Sequence, residues 1–344
     1  MTADINLQSL NLALSNRCNA KCVWCPDTRG TKHYYDMPWH DFKKIIDEAS
    51  TIPSISSICT GENGEAIYNK HFLDMHRYIR KTMPDHTIVS TLSNFGMFSR
   101  KFSKPILKER LLDTITVNID GHDAASYESV KKISFKTVIK NLKTFFSLRA
   151  KYQPYLKVRI NALPLLEYSL TIKNVLGVMP HQTTEKAIPY SDFELVKKFL
   201  HTFVDPEDKN VIISHSKPGL WAERKLITSG KAVPPVDQSH LKCPLFDRVT
   251  SQAFIAPSGD WYACCFDDNN DLVLGNIKQQ TLRQIYNSST RQSFIEKLTK
   301  RQYEEIGYPC NTIFCCEIIN VDPKILDSTI SSYSNQKLIP VNQI

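Results

Sequence analysis

No stretch of the chain approaches ~18 uninterrupted apolar residues, so no segment has the length and apolarity of a membrane-spanning helix. The opening residues, Met1 to Gln8, lack a basic region followed by an apolar run. A secretory signal is therefore not expected, and a cytoplasmic location is. Low-complexity tracts and repeats are missing as well. There is no zinc-finger spacing, no RNA-recognition motif and no basic stripe interleaved with aromatics, so nothing points to nucleic acid. What remains is an ordinary globular composition, 42% hydrophobic and 23% charged over 344 residues. That length suits one large domain, or a large domain and a smaller one.

The net charge is +8, from 43 basic and 35 acidic residues. Basic residues gather in Lys101–Arg110, Lys131–Lys143 and Arg291–Arg301. Solvated helix faces account for such runs. The alternative is a surface that draws an anionic partner: a phosphorylated substrate, an acidic peptide or an acidic electron donor. The ten cysteines are the stronger signal. A disulfide framework needs an oxidising compartment, and nothing here exports the chain. Nine of the ten fall into two groups, one near each end, which suggests two metal centres.

Strand-like and helix-like stretches alternate over the first two-thirds of the chain. Strands are expected at Leu10–Ser15, Ile55–Thr60, Thr87–Leu92, Thr114–Ile119, Lys157–Leu163 and Asn210–Ser214. Helices are expected at Trp39–Ser50, Lys70–Thr82, Lys101–Leu112, Ser126–Arg149 with a break near Ile133, and Asp192–Phe203. Six such units imply parallel strands with helical crossovers, and ligands that sit at the carboxyl ends of the strands. Those ends carry the unusual residues. Between about Lys217 and His240, Pro218, Gly219, Gly230, Pro234 and Pro235 mark a connecting segment. From Cys243 a second unit begins with a hairpin around Pro257-Ser258-Gly259-Asp260 and a helix over Thr281–Lys300. The expected division is 1–216, 217–240 as linker, 241–320, and 321–344 as an extension.

Cys18, Cys22 and Cys25 are spaced C-x3-C-x2-C on the loop after the first strand, with no fourth cysteine nearby. Three thiolates on one short loop can ligate three irons of a cubane and leave the fourth open to an external ligand. The alternative is a zinc site, which needs four protein ligands and would recruit a histidine such as His33. The triad, with Trp24 as the aromatic before its last cysteine, resembles the radical S-adenosylmethionine (SAM) superfamily. The resemblance implies a partial (β/α)6 barrel of the α/β class. It also implies a 4Fe–4S cluster whose open iron is chelated by SAM, and an electron donor of the flavodoxin or ferredoxin type. Reduction would cleave SAM to methionine and a 5′-deoxyadenosyl radical.

Later motifs extend the likeness. Thr60-Gly61-Glu62-Asn63-Gly64-Glu65-Ala66 is similar to the family's Gly-Glu-Pro motif, with Ala66 in place of the proline. Gly64 and Glu65 would meet the ammonium of SAM, which wants a carboxylate and close backbone carbonyls. Ser93-Asn94-Phe95-Gly96 resembles the Thr-Asn-Gly turn after strand 3. Asn118-Ile119-Asp120-Gly121 resembles Ser-Ile-Asp-Gly after strand 4. The resemblance makes Asn94 and Asn118 further SAM-binding residues, although an ordinary turn role fits Asn118 as well. Lys131 or Lys132 could pair with the SAM carboxylate, but the simpler expectation places both on a solvated helix face.

The second group opens with Cys243-x15-Gly259-x4-Cys264, which resembles the start of SPASM and twitch domains. Those domains hold auxiliary 4Fe–4S clusters. Residues 271–277 and Thr281–Tyr286 look like their connecting strand and helix. Cys310, with Cys315 or Cys316, would complete four ligands for one cluster; two clusters in the full SPASM pattern would need seven cysteines. The shorter twitch arrangement is therefore the expectation, within a small α+β domain, and a structural zinc is the alternative. Cys59 and Cys265 remain, either as core thiols or as hydrogen-atom donors of an epimerase.

The resemblance implies hydrogen abstraction from a substrate carbon, and three readings follow. The first is oxidation or epimerisation of a sugar- or aminocyclitol-like small molecule. The second is maturation of a ribosomally made peptide or protein side chain. Strand 1 starts by residue 10, so the N-terminal leader-binding domain of many peptide maturases is not expected in this chain. The third is a non-catalytic iron–sulfur scaffold, and the SAM-type loops after strands 2 to 4 argue against it.

Overall fold

Apolar and polar residues alternate along Thr114–Asn118 and Lys157–Ala162, other strands are short apolar-rich runs, and apolar residues every three or four positions specify the helices between them. A computed structural model describes residues 5–22, 25, 35–162, 193–215, 243, 245–267 and 271–311. Six strands run parallel, each beside the next: β1 (Ser9–Leu12), β2 (Ser57–Cys59), β3 (Ile88–Ser93), β4 (Thr114–Asn118), β5 (Lys157–Ala162) and β6 (Val211–His215). The helices are α1 (Trp39–Ala49), α2 (Phe72–Thr82), α3 (Arg100–Lys108), α4 (Ala124–Lys131), α5 (Phe135–Tyr152) and α6 (Phe193–Leu200). Phe42, Ile45 and Ile46 of α1, Met75 and Ile79 of α2, Ile106 of α3 and Phe145 of α5 belong to the core that covers one face of the sheet. That face is built from Ile58, Val89, Ile115, Val117, Val158 and Ile160.

The expected break near Ile133 is real and has a local cause. Asp123 and Ser126 form a reciprocal capping box at the start of α4, and Lys132 closes it at φ 57°. Ser134 then caps α5 by accepting from the Thr137 N–H.

The C-terminal unit departs from expectation in its helices. It contains α7 (Phe246–Ser251), β7 (Gln252–Ile255), β8 (Asp260–Tyr262), β9 (Val273–Asn276), α8 (Leu282–Tyr286), α9 (Ser289–Thr299) and α10 (Tyr303–Ile306). The single helix expected over Thr281–Lys300 is two, because Ser288 leaves helical geometry to cap α9. β7 pairs parallel with β1, so β1 is central and the sheet has nine strands in the order β6-β5-β4-β3-β2-β1-β7-β8-β9. The sheet is open, not closed. A second link joins the units where the Glu48 carboxylate of α1 accepts the Leu282 and Arg283 N–H groups at the start of α8, at 2.8 and 3.0 Å. The expected linker 217–240 and extension 321–344 lie outside the described residues.

Register decides what occupies the face away from the helices. Phe254, Asn11, Cys59, Ser90, Thr114 and Lys157 form one cross-strand row. Leu92, Thr116, Arg159 and Ile212 form the next, and Asn118, Asn161 and Ser214 the third, at the carboxyl ends.

Candidate iron–sulfur and SAM site

The loop after β1 carries Cys18, Cys22 and Cys25, all half-buried. The Ala20 N–H points at Cys18 Sγ at 3.4 Å, Asn94 Nδ2 lies 3.5 Å from the same sulfur, and the Cys25 N–H donates to the Cys22 carbonyl at 3.1 Å. N–H donors around a sulfur favour its thiolate form. Among the described residues, no three His, Cys, Asp or Glu side chains converge on a single ion position. A cubane asks each thiolate to reach a different iron, which three thiolates on one short loop can do. Trp24 and His33 lie outside the described residues.

Behind the triad, the loop after β2 is shaped by close packing. A Cβ on Gly61 would stand 2.2 Å from the Leu92 amide nitrogen, and one on Gly64, at φ 148°, would stand 2.2 Å from the Ser15 carbonyl oxygen. Glu65 is buried. Its two carboxylate oxygens accept from Ser93 Oγ at 2.7 Å and from the Asn94 N–H at 2.8 Å. Burial lifts its pKa to about 7, against those two hydrogen bonds and the nearby Lys131 ammonium. Asn94 in turn donates to Asn19 Oδ1 at 2.9 Å and accepts from the Gly96 N–H at 2.8 Å. Gly64, Glu65, Asn94 and Cys18 thus form one connected group. Asn118 is half-buried in the row with Asn161; it follows Val117, the partner of Ser93, so the register sets it beside Asn94 at the ends of β3 and β4.

Lys131 corrects the expectation of a solvated helix face. It is buried, and its ammonium lies 2.8 Å from the Asp120 carboxylate. Burial works against its charge, but Asp120, Cys22 and Tyr127 outweigh that and hold it protonated. Asp120 belongs to a recognisable motif, yet no spacing rule pairs it with a lysine one helix away. The Ser93–Glu65 bond is equally invisible in sequence.

Cys59 ends β2 on the sheet face away from the helices, beside Ser90. Its thiol is pushed up to about 11 by burial and then by the Glu62 carboxylate. Cys265 packs against Phe254, Ala256 and Tyr262. Cys243, Cys264 and Cys310 belong to the C-terminal unit. Cys310 is pushed up to about 12 by burial, then by Cys243 and the buried Asp267. The Asp267 N–H donates to the Cys264 carbonyl at 3.0 Å, which ties all three cysteines to one region. Thiols gathered in one region, with Cys264 and Cys310 buried, are a donor set that a metal core turns into thiolates. Cys315 and Cys316 lie outside the described residues.

The radical SAM superfamily model matches residues 12–164, and an iron–sulfur cluster-binding SPASM domain matches residues 243–312. The chain belongs to the radical SAM superfamily. Radical SAM and SPASM domains together imply a SAM-binding 4Fe–4S cluster and auxiliary iron–sulfur clusters. A cofactor-modifying protein for the tungsten-containing aldehyde ferredoxin oxidoreductase of Pyrococcus furiosus is 32% identical over 75 residues, 22% of this chain and 21% of that protein. GTP 3′,8-cyclase of Desulforamulus reducens is 24% identical over 131 residues, 37% of this chain and 39% of that one. The matches thus span well under half of these relatives. Among solved structures, BtrN with AdoMet and 2-DOIA aligns at TM-score 0.53 and 13% identity, over 90% of this chain and 95% of that one. AdoMet-bound anSMEcpe aligns at 0.55 and 13%, over 95% and 96%. Streptococcus suis SuiB aligns at 0.54 and 15%, over 85% of this chain and 68% of that one. These likenesses carry the radical SAM fold. No described helix is long and apolar enough to cross a membrane.

Proposed function

We propose that this radical SAM chain removes a hydrogen atom from a carbon of a sugar- or aminocyclitol-like molecule, leading to oxidation or epimerisation. The observation that carries the reading is the sheet face away from the helices. Asn11, Ser90, Thr116, Asn118, Asn161 and Ser214 offer short amides and hydroxyls in register across the sheet, which suit a compact, many-hydroxyl substrate.

When bound and reduced, the N-terminal cluster supplies the electron that cleaves SAM to methionine and a 5′-deoxyadenosyl radical. Cys18, Cys22 and Cys25 would hold that cluster. Gly64 and Glu65 would receive the SAM ammonium, Asn94 would fix the turn beneath it, and Asn118 would bond its ribose or carboxylate. Cys243, Cys264 and Cys310, with Cys315 or Cys316, would hold an auxiliary cluster, which supplies an electron acceptor for oxidation. For epimerisation, Cys59 or Cys265 would return a hydrogen atom, and the thiyl radical left behind would be restored by one electron from the external electron donor and a proton; Cys59, lifted to about 11, stays a thiol near neutral pH, the form that carries a hydrogen atom.

Anaerobic turnover in deuterated buffer tests the reading with sugars, aminocyclitols and candidate precursor peptides in parallel. Deuterium at carbon supports epimerisation from an exchangeable thiol, and a two-dalton loss supports oxidation. Turnover of a peptide with the small molecules untouched favours the maturase instead. BtrN with 2-DOIA and anSMEcpe with a peptide share the fold, so fold alone does not choose.

A further inference from the structure

Tyr262 is wholly buried on β8 and in register with Phe254 of β7, which places it on the same sheet face as Asn11 and Cys59. Its phenol oxygen accepts a hydrogen bond from Asn63 Nδ2 at 3.2 Å. A buried tyrosine hydroxyl needs such a partner, and here the partner is one residue away from Gly64. Asn63 sits at φ 43°, in the left-handed region, and Gly64 at φ 148°, which glycine adopts freely, so Asn63 is the residue of the pair whose conformation gains from a side-chain partner.

Support comes from both sides. On one side the Glu65 N–H donates to the Arg17 carbonyl at 2.8 Å, and Ser15 and Asn16 fill the space against Gly64. On the other side stands the C-terminal unit, with Tyr262 bonded to Asn63 and Arg248 of α7 within charge range of the Glu62 carboxylate. Only Ala263 separates Tyr262 from Cys264. The loop that would cradle SAM is therefore clamped between the loop that follows β1 and the strand β8, which ends two residues before Cys264.

We infer that Tyr262 is a positioning residue for SAM: its hydroxyl fixes Asn63, and through it the Gly64-Glu65 backbone, so the C-terminal unit sets the affinity of the SAM loop. The inference rests on reading residues 60–66 as that loop.

The test uses the full-length, anaerobically reconstituted protein and SAM itself. Kd for SAM is measured by equilibrium ultrafiltration for wild type, Tyr262→Phe, Asn63→Gly and the double variant, with iron and sulfide content as the loading control. Glycine tolerates the backbone angle at position 63, so Asn63→Gly removes the amide without imposing strain there. Each single variant is expected to bind SAM roughly fivefold to tenfold more weakly, the size of one lost buried hydrogen bond. The double variant should bind no more weakly than Asn63→Gly alone, because both changes break one contact. In SAM cleavage, KM for SAM should rise more than kcat falls. Wild-type affinity in Tyr262→Phe, or losses that multiply in the double variant, overturns the assignment. If Tyr262→Phe does not load iron, wild-type affinity in Asn63→Gly overturns it equally. Failure of the wild type to bind SAM defeats the loop reading itself, which the same measurement reveals first.

Discussion

Glu65 and Lys131 show how single buried charges make this site. Glu65 rises to about 7 from an ordinary 4.5. Between those values the folded chain holds a proton that the unfolded chain has released. Its contribution to stability is therefore present in acid and lost as pH rises through that window. Affinity for a cationic ligand runs the other way, because an ammonium prefers the ionised carboxylate. SAM Kd should weaken from about pH 8 to about pH 6, and Glu65→Gln should flatten that dependence while binding SAM roughly tenfold to a hundredfold more weakly. Lys131 places a cation beside Cys22. Lys131→Met should shift the cluster's reduction potential negative, on the order of the 59 mV that marks a tenfold change in a one-electron equilibrium. It should also lower Tm, because it leaves Asp120 buried without its ion-pair partner. Lys131→Arg should recover most of both. An unchanged potential by EPR-monitored titration would remove Lys131 from any electrostatic role.

Among the elements, caps decide where helices stop and start. The Asp123–Ser126 box and the Ser134 cap divide Ala124–Tyr152 into two helices, and Ser288 divides Leu282–Thr299. Asp123→Ala should cost about 1 kcal/mol, seen as a lower urea midpoint with an unchanged slope. The first break was legible from Ile133, where the apolar spacing loses phase. The second was missed because Asn287-Ser288 sits inside a run with acceptable helical periodicity.

Across the whole molecule, β1 is buried in the middle of the sheet, between β2 and β7. A fragment ending at residue 216 would expose the β1 edge, whose flanking core residues include Leu10, Leu12 and Ala13. Such an edge pairs with other chains. The fragment should aggregate where the full chain stays monodisperse, as light scattering would show. A monodisperse fragment with bound iron would mean that the β1–β7 pairing is dispensable.

Local spacing and period marked the two cysteine groups, the order of six strand–helix units and the glycine-rich turn, and the family resemblance gave the cysteines and that turn their expected roles. Ligand spacing and hydrophobic period act within a few residues, so they can be read along the chain. Only the tertiary structure paired Lys131 with Asp120, Ser93 with Glu65, Asn63 with Tyr262 and β1 with β7. These contacts join residues brought together by packing, and separation along the chain carries no trace of them. The same folding turned two units that read as successive into one sheet, with the predicted SAM loop held between them.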